Sequence, residues 1–369
     1  MRPKSSRLVP SSLNERNAMF VYDLDFQQIT HLLSQWNEPA YRAKQVWQGL
    51  YQHFYDSPDQ FTSLPKSLRQ KMAENLRFSP IKPKVFLDSS DGQTRKTLFE
   101  LHDGQVIEAV LMRYDPDTFM GRGRRTLCIS TQAGCAMGCV FCATGQMGFK
   151  RHLSSGEIVA QVLYYARMLK EQNEVVTNVV LMGMGEPFHN YDNTMEAIDR
   201  LNDPEGYNFG ARRFTISTVG LVPAIRRFAD EKRQVNLAIS LHAADDASRV
   251  SMLPINKKYT IDQVLEACRY YVSQTGRRIT FEWALIHGVN DTPEVARQLA
   301  SRLKGLLCHV NAIPLNPTAG YDGRATDPQR AAIFKATLEQ AGIPCTIRMK
   351  RGIDIQAGCG QLAGAVSSL

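Results

Sequence analysis

The chain has 369 residues, of which 43% are hydrophobic and 22% are charged, a composition typical of globular rather than disordered proteins. The net charge of +8 favours polyanionic partners such as nucleic acid, although many basic proteins bind none. No apolar run approaches the 18 residues that span a membrane, and the basic N-terminus lacks the apolar segment of a secretory signal. We therefore expect a cytoplasmic protein of two or three domains that does not contact a membrane.

The first 120 residues change their periodicity twice. Residues 1–20 are polar and basic and predict a flexible tail. In residues 21–80, apolar side chains recur at spacings of three and four, which predicts a helical accessory domain. In residues 81–120, short β-like runs are separated by Asp91-Gly92 and Asp103-Gly104, which are turn signals. That segment predicts an antiparallel β extension.

Residues 121–350 alternate between β and α patterns, and residues 351–369 form a separate C-terminal segment. The predicted strands are Thr126–Ser130, Asn178–Met182, Phe214–Ser217, Val235–Leu241, Arg278–Leu285, His309–Pro314 and Cys345–Met349. The predicted helices between them include Ser155–Lys170, Asn193–Leu201, Ile261–Gln274, Pro293–Leu303 and Gln329–Ala341. The pattern predicts an α/β fold with a parallel sheet, whose chemistry lies at the carboxyl ends of the strands. Six or seven repeats are too few for a closed eightfold barrel, so we expect a partial (β/α)6 barrel.

Three of the eight cysteines stand in a C-x3-C-x2-C loop directly after the first predicted parallel strand. These are Cys135, Cys139 and Cys142. Three thiolates can hold three irons of a [4Fe–4S] cluster and leave the fourth iron open for a small molecule. A zinc site is the alternative, but it would need a fourth ligand from a second paired motif, which the sequence does not contain.

With Phe141 as the aromatic residue, this loop resembles the C-x3-C-x-aromatic-C signature of the radical S-adenosylmethionine superfamily. The resemblance implies that the open iron binds the amino and carboxylate groups of S-adenosylmethionine. It also implies an external electron donor, because reductive cleavage of that cofactor yields methionine and a 5′-deoxyadenosyl radical. A partial-barrel fold belongs to the same resemblance.

Polar residues at the carboxyl ends of later strands fit the same cofactor. Gly183-Met184-Gly185-Glu186-Pro187 follows the second strand and resembles the superfamily's GGE motif, with Glu186 as an acceptor for an ammonium group. Each of the others alone is more typical of a loop hydrogen bonder, but they share one edge of the predicted sheet. The predicted cofactor-binding residues are Gly185, Glu186, Ser217, Ser240, Leu241, His242 and Asn316.

Three further residues stand out from their surroundings. Cys359 lies between Gly358 and Gly360, which leave its sulfur unshielded, whereas Cys128 lies in a β-run where a buried inert cysteine is the usual interpretation. Glu108 falls on the apolar face of a predicted strand, where burial would raise its pKa and suit it to proton transfer. The alternative for Glu108 is a solvent-facing glutamate on an edge strand.

Together with the stretches RRFTISTVG, PINKKY and IDIQAGCGQLAG, these features resemble the RlmN family, which methylates adenine C2 in large-subunit rRNA and tRNA. By position, the resemblance implies that Cys359 carries the methyl group, Cys128 resolves a transient RNA–protein crosslink by forming a disulfide, and Glu108 accepts a proton. It also implies two S-adenosylmethionine molecules per methyl transferred. The related Cfr family methylates C8 and departs from the motifs at residues 183–187 and 255–259, which this chain keeps, so C2 is favoured.

The implied partners are 23S rRNA, at its peptidyl-transferase centre, and tRNA, at the adenosine 3′ to the anticodon, bound by a monomeric enzyme. Candidate phosphate contacts are Arg122, Arg124, Arg125, Lys350 and Arg351. Two rival classes remain open. Another radical reaction, such as glycyl-radical activation, would not need Cys128 or Cys359. A non-enzymatic iron–sulfur RNA-binding module would release no deoxyadenosine.

Overall fold

The structure is a computed structural model. It describes residues 19–114, 123–316, 318, 320–348, 352, 354–355, 361 and 363. Across these residues, no helix is both long enough and apolar enough to cross a membrane.

The N-terminal part of the described chain is a small helical unit. Its helices are α1 (Phe26–Gln35), α2 (Tyr41–Tyr51) and α3 (Lys66–Asn75), and its ends are joined by parallel pairing of β1 (Met19–Phe20) with β2 (Leu76–Arg77). Helix α1 begins at Asp25, which forms a reciprocal capping box with Gln28. Arg200 donates hydrogen bonds to the carbonyl oxygens of Tyr22 and Asp23, which ties this unit to the following one.

Ten strands form one sheet, and two more form a hairpin beside it. The strands after β2 are β3 (Ile81–Asp88), β4 (Thr94–Leu101), β5 (Val106–Tyr114), β6 (Arg124–Cys128), β7 (Gln132–Gly134), β8 (Phe149–His152), β9 (Asn178–Leu181), β10 (Phe214–Thr218), β11 (Asn236–Ser240), β12 (Ile279–Leu285), β13 (Cys308–Pro314) and β14 (Cys345–Ile347). The sheet order is β14-β13-β12-β11-β10-β9-β6-β5-β4-β3, and β7 pairs with β8 separately. Strands β6 and β9 to β14 pair in parallel, whereas β3 to β6 pair antiparallel.

Helices separate the parallel strands along the chain. They are α4 (Ala143–Gln146), α5 (Ser155–Glu171), α6 (Tyr191–Asn202), α7 (Val222–Asp230), α8 (Asp246–Met252), α9 (Ile261–Thr275), α10 (Pro293–Leu303) and α11 (Pro328–Gln340). The predicted fold class is confirmed, as is the capping box of Ser154 with Glu157 at the start of α5. The hairpin of β7 and β8 and the helices α7 and α8 were not among the predicted elements.

The two faces of the sheet differ in chemistry. Strand register places Lys96, Val110, Cys128, Val180, Thr215 and Asn236 in one cross-strand row, and Ser240, Glu282, Asn311 and Thr346 in another on the same face. Alternate residues such as Leu127, Ile216 and Phe281 point the other way and are fully buried in the main apolar core. We call the polar side the inner face.

Strand β14 ends close to the middle of the sheet in space, although it is an edge strand in hydrogen-bond order. The charge of Arg348, which directly follows β14, lowers the pKa of both Cys128 on β6 and Glu282 on β12, in each case against a larger increase from burial. Arg348 therefore lies near both groups. The sheet curves around its inner face as an open, partial barrel.

Candidate active site

The cysteine loop is held in place by backbone hydrogen bonds and by apolar packing. The N–H of Cys135 donates to Gly148 O at 3.0 Å, and the N–H of Cys142 donates to Cys139 O at 3.1 Å. Val140 N–H donates to Met252 O at 3.1 Å. Around the loop lies a second apolar cluster, separate from the main core, which includes Cys139, Ala243, Met252, Leu253, Ile286 and Leu315. The loop is thus shaped by its own sequence and by the ends of neighbouring strands.

Two glycines allow the close backbone approaches that this site requires. Gly134 has φ +71°, and a Cβ there would lie 1.9 Å from Gly148 O. At Gly183, a Cβ would lie 2.5 Å from Ile129 O, where the Gly-rich segment after β9 crosses the end of β6. In the Gly183–Pro187 motif, the backbone of Gly183 therefore lies directly against the backbone of Ile129, which a side chain at position 183 would prevent.

The three loop thiols fit an iron–sulfur cluster. Burial raises the pKa of Cys139, and the neighbouring Cys142 and Cys135 raise it further. Burial likewise raises the pKa of Cys135 to about 12. Within the described part of the chain, no three His, Cys, Asp or Glu side chains converge on a single ion. The three thiols are near enough for their charges to interact, which suits a [4Fe–4S] cluster that takes one thiolate per iron.

Glu186 is buried beside this loop. Its Oε1 accepts the N–H of Phe188 at 3.0 Å and its Oε2 accepts the N–H of Val219 at 2.9 Å. Burial raises its pKa to about 7, against the lowering effect of these hydrogen bonds. The N–H of Glu186 itself donates to Oε1 of Gln132 at 2.9 Å. The carboxylate is therefore fixed in orientation, and the side chain of Thr218 donates a further hydrogen bond to it.

The structure brings only some of the residues predicted from the later strand ends together: the serines of two neighbouring strands contact each other, and His242 contacts the cysteine loop. Ser217 Oγ and Ser240 Oγ are 3.4 Å apart. Leu241 is fully buried, and His242 meets the ring of Phe141 edge-on at 5.0 Å between centroids. His242 Nδ1 accepts the N–H of Ala284 at 2.9 Å, and burial lowers its pKa to about 3, so the ring is neutral and carries its proton on Nε2. Asn316 follows β13 and is exposed.

Glu108 is buried on the inner face and forms an ion pair that the sequence did not predict. Its Oε2 lies 2.9 Å from Nζ of Lys96, and the two side chains are 1% and 0% exposed. Its Oε1 accepts the N–H of Ala363 at 2.6 Å. The alternative of a solvent-facing edge glutamate is therefore wrong, because β5 lies between β4 and β6. The neighbouring strand β4 adds Lys96 to this face, a contact that the sequence analysis did not include.

Cys128 is half-buried and lies close to Glu108, which is on the neighbouring strand. It is paired in register with Val110, and Ser130, two residues further on, donates to Glu108 O at 2.6 Å. Burial raises the pKa of its thiol to about 11, against the opposing charge of Arg348. Its predicted partner Cys359 lies outside the described residues, so the approach of the two sulfurs stays a prediction.

The predicted phosphate contacts are only partly described. Arg122, Lys350 and Arg351 lie outside the described residues. Arg125 forms an ion pair with Glu174, whereas Arg124 is exposed and lies over the ring of Tyr114 at 4.2 Å. The phosphate contact expected of Arg124 therefore stays a prediction.

Glu282 is a further buried carboxylate, and the sequence analysis did not single it out. It lies on the inner face, and its Oε2 accepts a hydrogen bond from Asn311 Nδ2 at 2.7 Å. Burial raises its pKa to about 7, against the lowering charge of Arg348. The sequence signal that could have identified Glu282 is that it is the single charged residue in the otherwise mostly apolar strand β12.

Lys96→Met is expected to destabilise the fold strongly. The substitution removes the ammonium partner of a carboxylate that stays buried, and breaking a buried ion pair typically costs about 3–5 kcal/mol. Urea unfolding followed by circular dichroism measures the loss. The double variant Lys96→Met/Glu108→Gln removes both charges and should recover much of it. A single variant within about 1 kcal/mol of wild type would contradict this assignment.

Glu282→Gln is expected to change the pH dependence of stability. The folded-state pKa is about 7 and the ordinary value is 4.5, so the folded protein holds this proton more tightly than the unfolded chain. The stability that protonated Glu282 contributes to the fold is therefore complete below pH 4.5 and is lost as the pH rises through the folded-state pKa of about 7. Because glutamine cannot ionise, the melting temperature of the variant relative to wild type should be higher at pH 8 than at pH 5. An unchanged difference would contradict the raised pKa.

A cysteine loop of this pattern at the strand ends of a partial barrel, beside a buried glutamate and neighbouring polar strand ends, defines a radical S-adenosylmethionine enzyme. The family model "Radical SAM superfamily" matches residues 129–300, and "Ribosomal RNA large subunit methyltransferase N-terminal domain" matches residues 20–77. The first match covers the barrel from the end of β6 to α10, and the second covers the N-terminal helical unit.

Similar proteins cover nearly the whole chain. "Dual-specificity RNA methyltransferase RlmN 1" of Myxococcus xanthus is 49% identical over 94% of each chain. "Ribosomal RNA large subunit methyltransferase N" of Nitrosopumilus maritimus is 43% identical over 93% of this chain and 97% of its own. A crystal structure of a radical SAM methyltransferase from Sphaerobacter thermophilus superposes with a TM-score of 0.89 at 49% identity, covering 93% of this chain and 98% of that one. The chain belongs to the RlmN family of radical S-adenosylmethionine RNA methyltransferases.

Proposed function

We propose that this enzyme methylates C2 of an adenosine in 23S rRNA, at the peptidyl-transferase centre, and of the adenosine 3′ to the anticodon in tRNA. The observation that carries the proposal is the position of Glu108. It is a buried carboxylate on the inner face, beside Cys128 and in contact with Ala363, four residues after Cys359 in the chain. A proton acceptor, a resolving thiol and the C-terminal segment thus meet on one face.

The chemistry of adenine explains why two cysteines and a base are needed. The C2–H is not acidic enough for base-assisted methylation, and the ring carbon is electrophilic, so an electrophilic methyl donor is mismatched. Held by Cys135, Cys139 and Cys142, the cluster with S-adenosylmethionine supplies a hydrogen-abstracting radical. The chain's own residues carry the methyl group, accept the proton and release the product.

In the proposed sequence, Cys359 first takes a methyl group and then, after loss of one hydrogen, its carbon bonds to C2. The adduct gives up one electron, which would return to the oxidised cluster, and Glu108 accepts the C2 proton. The Cys128 thiolate then attacks the Cys359 sulfur and forms a disulfide, while the electron pair of the broken sulfur–carbon bond stays on the carbon, which takes up a proton to become the methyl group of the released RNA. Two S-adenosylmethionine molecules are consumed per methyl group.

The remaining parts of the proposal follow from the substrates and the motifs. Retention of the motifs at residues 183–187 and 255–259 supports C2 over the C8 position methylated by the Cfr family. An external electron donor must reduce the cluster. We also propose that the enzyme acts as a monomer in the cytoplasm, where its RNA substrates are.

The two cysteines outside the loop are expected to fail differently when replaced. Cys359→Ala should give neither methylated protein nor methylated RNA, because the methyl carrier is lost. Cys128→Ala should form the thioether to RNA but not break it, so RNA stays attached through Cys359. Denaturing gel mobility and peptide mass spectrometry of protein co-expressed with its RNA distinguish these outcomes.

The matched control is Cys308→Ala, a buried cysteine whose register neighbour Ile279 faces the apolar core. This variant should show neither defect. Crosslinked RNA in Cys359→Ala but not in Cys128→Ala would mean that the roles are reversed. Full activity in both variants would contradict the proposed reaction and favour another radical reaction that needs neither cysteine.

A further inference from the structure

A cavity lies at the end of the sheet opposite the cysteine loop. Its volume is about 640 Å³. The residues that line it come from the amino ends of β10, β11 and β12 and the turns before them: Arg212, Thr215, Gln234, Asn236, Thr275, Gly276, Arg277, Arg278 and Thr280. We call it the arginine pocket. None of these residues belongs to the predicted cofactor or cysteine sites.

The charge of the arginine pocket is one-sided. Three arginines line it and no acidic side chain does. Among the described residues, none of Arg212, Arg277 and Arg278 takes part in an ion pair, although nearby Arg233 pairs with both Asp199 and Glu231. The three guanidinium charges thus lack a carboxylate partner in the part of the chain that the structure describes.

Neutral groups orient one of these arginines without neutralising it. Arg277 donates to Asn236 Oδ1 at 2.7 Å and to Gln234 Oε1 at 3.2 Å. Asn236 is fixed in turn, because its Nδ2 donates to Arg212 O at 2.7 Å and to Phe214 O at 2.9 Å. Arg212 and Arg278 are exposed at the rim. The arrangement is a preorganised cationic pocket with free donors at its opening.

The floor of the arginine pocket is continuous with the inner face. Thr215 and Ser217 lie on the same side of β10, and Thr280 and Glu282 lie on the same side of β12. Two residues of a strand span about 7 Å, so the pocket floor is one side-chain layer below Ser217 and Glu282. The arginine pocket thus opens at the amino ends of the strands, whereas the predicted cofactor-binding residues lie at their carboxyl ends.

We propose that the arginine pocket binds phosphodiester groups of the substrate RNA away from the target nucleotide, which reacts at the other end of the sheet. Guanidinium groups match phosphate oxygens in a bidentate geometry, and contacts to phosphates fix the register of a bound strand. The proposal rests on the proposed function, since it takes RNA as the substrate. It goes beyond that function by assigning a backbone-binding site at the end of the sheet away from the cysteine loop.

The test compares the effect of removing two arginine charges at the rim of the arginine pocket with the effect of removing two arginine charges elsewhere on the surface. The test variant is Arg212→Gln/Arg278→Gln, and the control is Arg269→Gln/Arg297→Gln, two exposed arginines on α9 and α10. Binding of a fluorescent RNA fragment is measured across a salt series. We expect the test variant to bind at least about tenfold more weakly than the control at low salt. Its plot of log affinity against log salt should be flatter by about 1.4, because each lost phosphate contact to a single strand contributes about 0.7.

A charge-conserving variant separates phosphate contact from a structural role. Arg212→Lys/Arg278→Lys should regain the salt slope and part of the affinity, because phosphate attracts either cation but only a guanidinium group binds it in a bidentate geometry. Equal losses in the Lys and Gln variants would overturn the proposal, as would a Gln variant that binds RNA like the control. Competition with adenosine monophosphate tests the alternative source of phosphate. If the Gln variant loses binding of the free nucleotide and keeps RNA binding, the site is not for RNA.

Failure of this proposal is distinguishable from failure of the proposed function. If wild-type enzyme methylates adenosine in RNA while the Gln variant and the control bind RNA alike, only the pocket assignment is wrong. If wild-type enzyme forms no methylated adenosine, the proposed function is wrong whatever the pocket variants do.

Discussion

Cys139→Ala should leave the enzyme without its cluster and without any radical chemistry. Cys139 is the most buried of the three loop cysteines and lies against the apolar cluster around Met252 and Leu253. Loss of one of the three ligands leaves one iron without a protein thiolate. The apolar side chains around the loop offer no replacement ligand. Iron content of anaerobically reconstituted protein should fall from about four per chain to near zero. Release of 5′-deoxyadenosine on reduction should be undetectable.

The control for this prediction is Cys268→Ala, which removes a fully buried cysteine of α9. It should keep its iron and its deoxyadenosine release. Cys135→Ala and Cys142→Ala should behave like Cys139→Ala, because each thiolate serves a different iron. Normal turnover by any loop variant would remove the radical assignment.

Glu108→Gln should separate radical formation from product formation. Glutamine keeps the size of the side chain but cannot accept a proton. Release of 5′-deoxyadenosine should persist, whereas methylated RNA should fall by about two to four orders of magnitude, the usual scale for lost general-base catalysis. Both products are quantified by liquid chromatography of the same reaction.

The ion pair with Lys96 provides the control for a structural role. Glu108→Gln leaves a buried ammonium without its carboxylate, which could lower activity by disturbing the fold. The double variant Lys96→Met/Glu108→Gln removes that charge as well. If Glu108 is the proton acceptor, the double variant stays inactive in methylation. Recovery of methylation would show that Glu108 acts only through the ion pair.

The alternation of strands and helices was predictable because the parallel strands are short runs rich in apolar or β-branched residues and most of the long helices carry an apolar stripe. The helix from Pro293 to Leu303 was predicted with the observed bounds, and the other predicted long helices were placed within two residues of those observed. Shorter elements carry weaker signals. The hairpin of β7 and β8 was missed because its strands, at Gln132–Gly134 and Phe149–His152, are polar and separated by the cysteine loop.

The candidate site was predictable where function needs a residue type at a fixed spacing, as in the cysteine loop and the motif around Glu186. It was not predictable where two residues meet only through strand register. Lys96 and Glu108 are twelve positions apart, and nothing in either segment alone indicates an ion pair. Cys128 on β6 and Arg348 after β14 come near each other only because the sheet curves. Such pairs depend on tertiary structure.

Deuterium labelling of the transferred methyl group tests the proposed reaction most directly. Reconstituted enzyme is incubated with RNA, a reductant and S-adenosylmethionine that carries three deuterium atoms on its methyl group, and the nucleosides are analysed by mass spectrometry. If Cys359 carries a methyl group that loses one hydrogen atom before it bonds to the base, 2-methyladenosine should contain two deuterium atoms in that group. The third should appear in 5′-deoxyadenosine. A product with all three deuterium atoms, a methyl group on C8, or no methylated adenosine would contradict the proposed reaction.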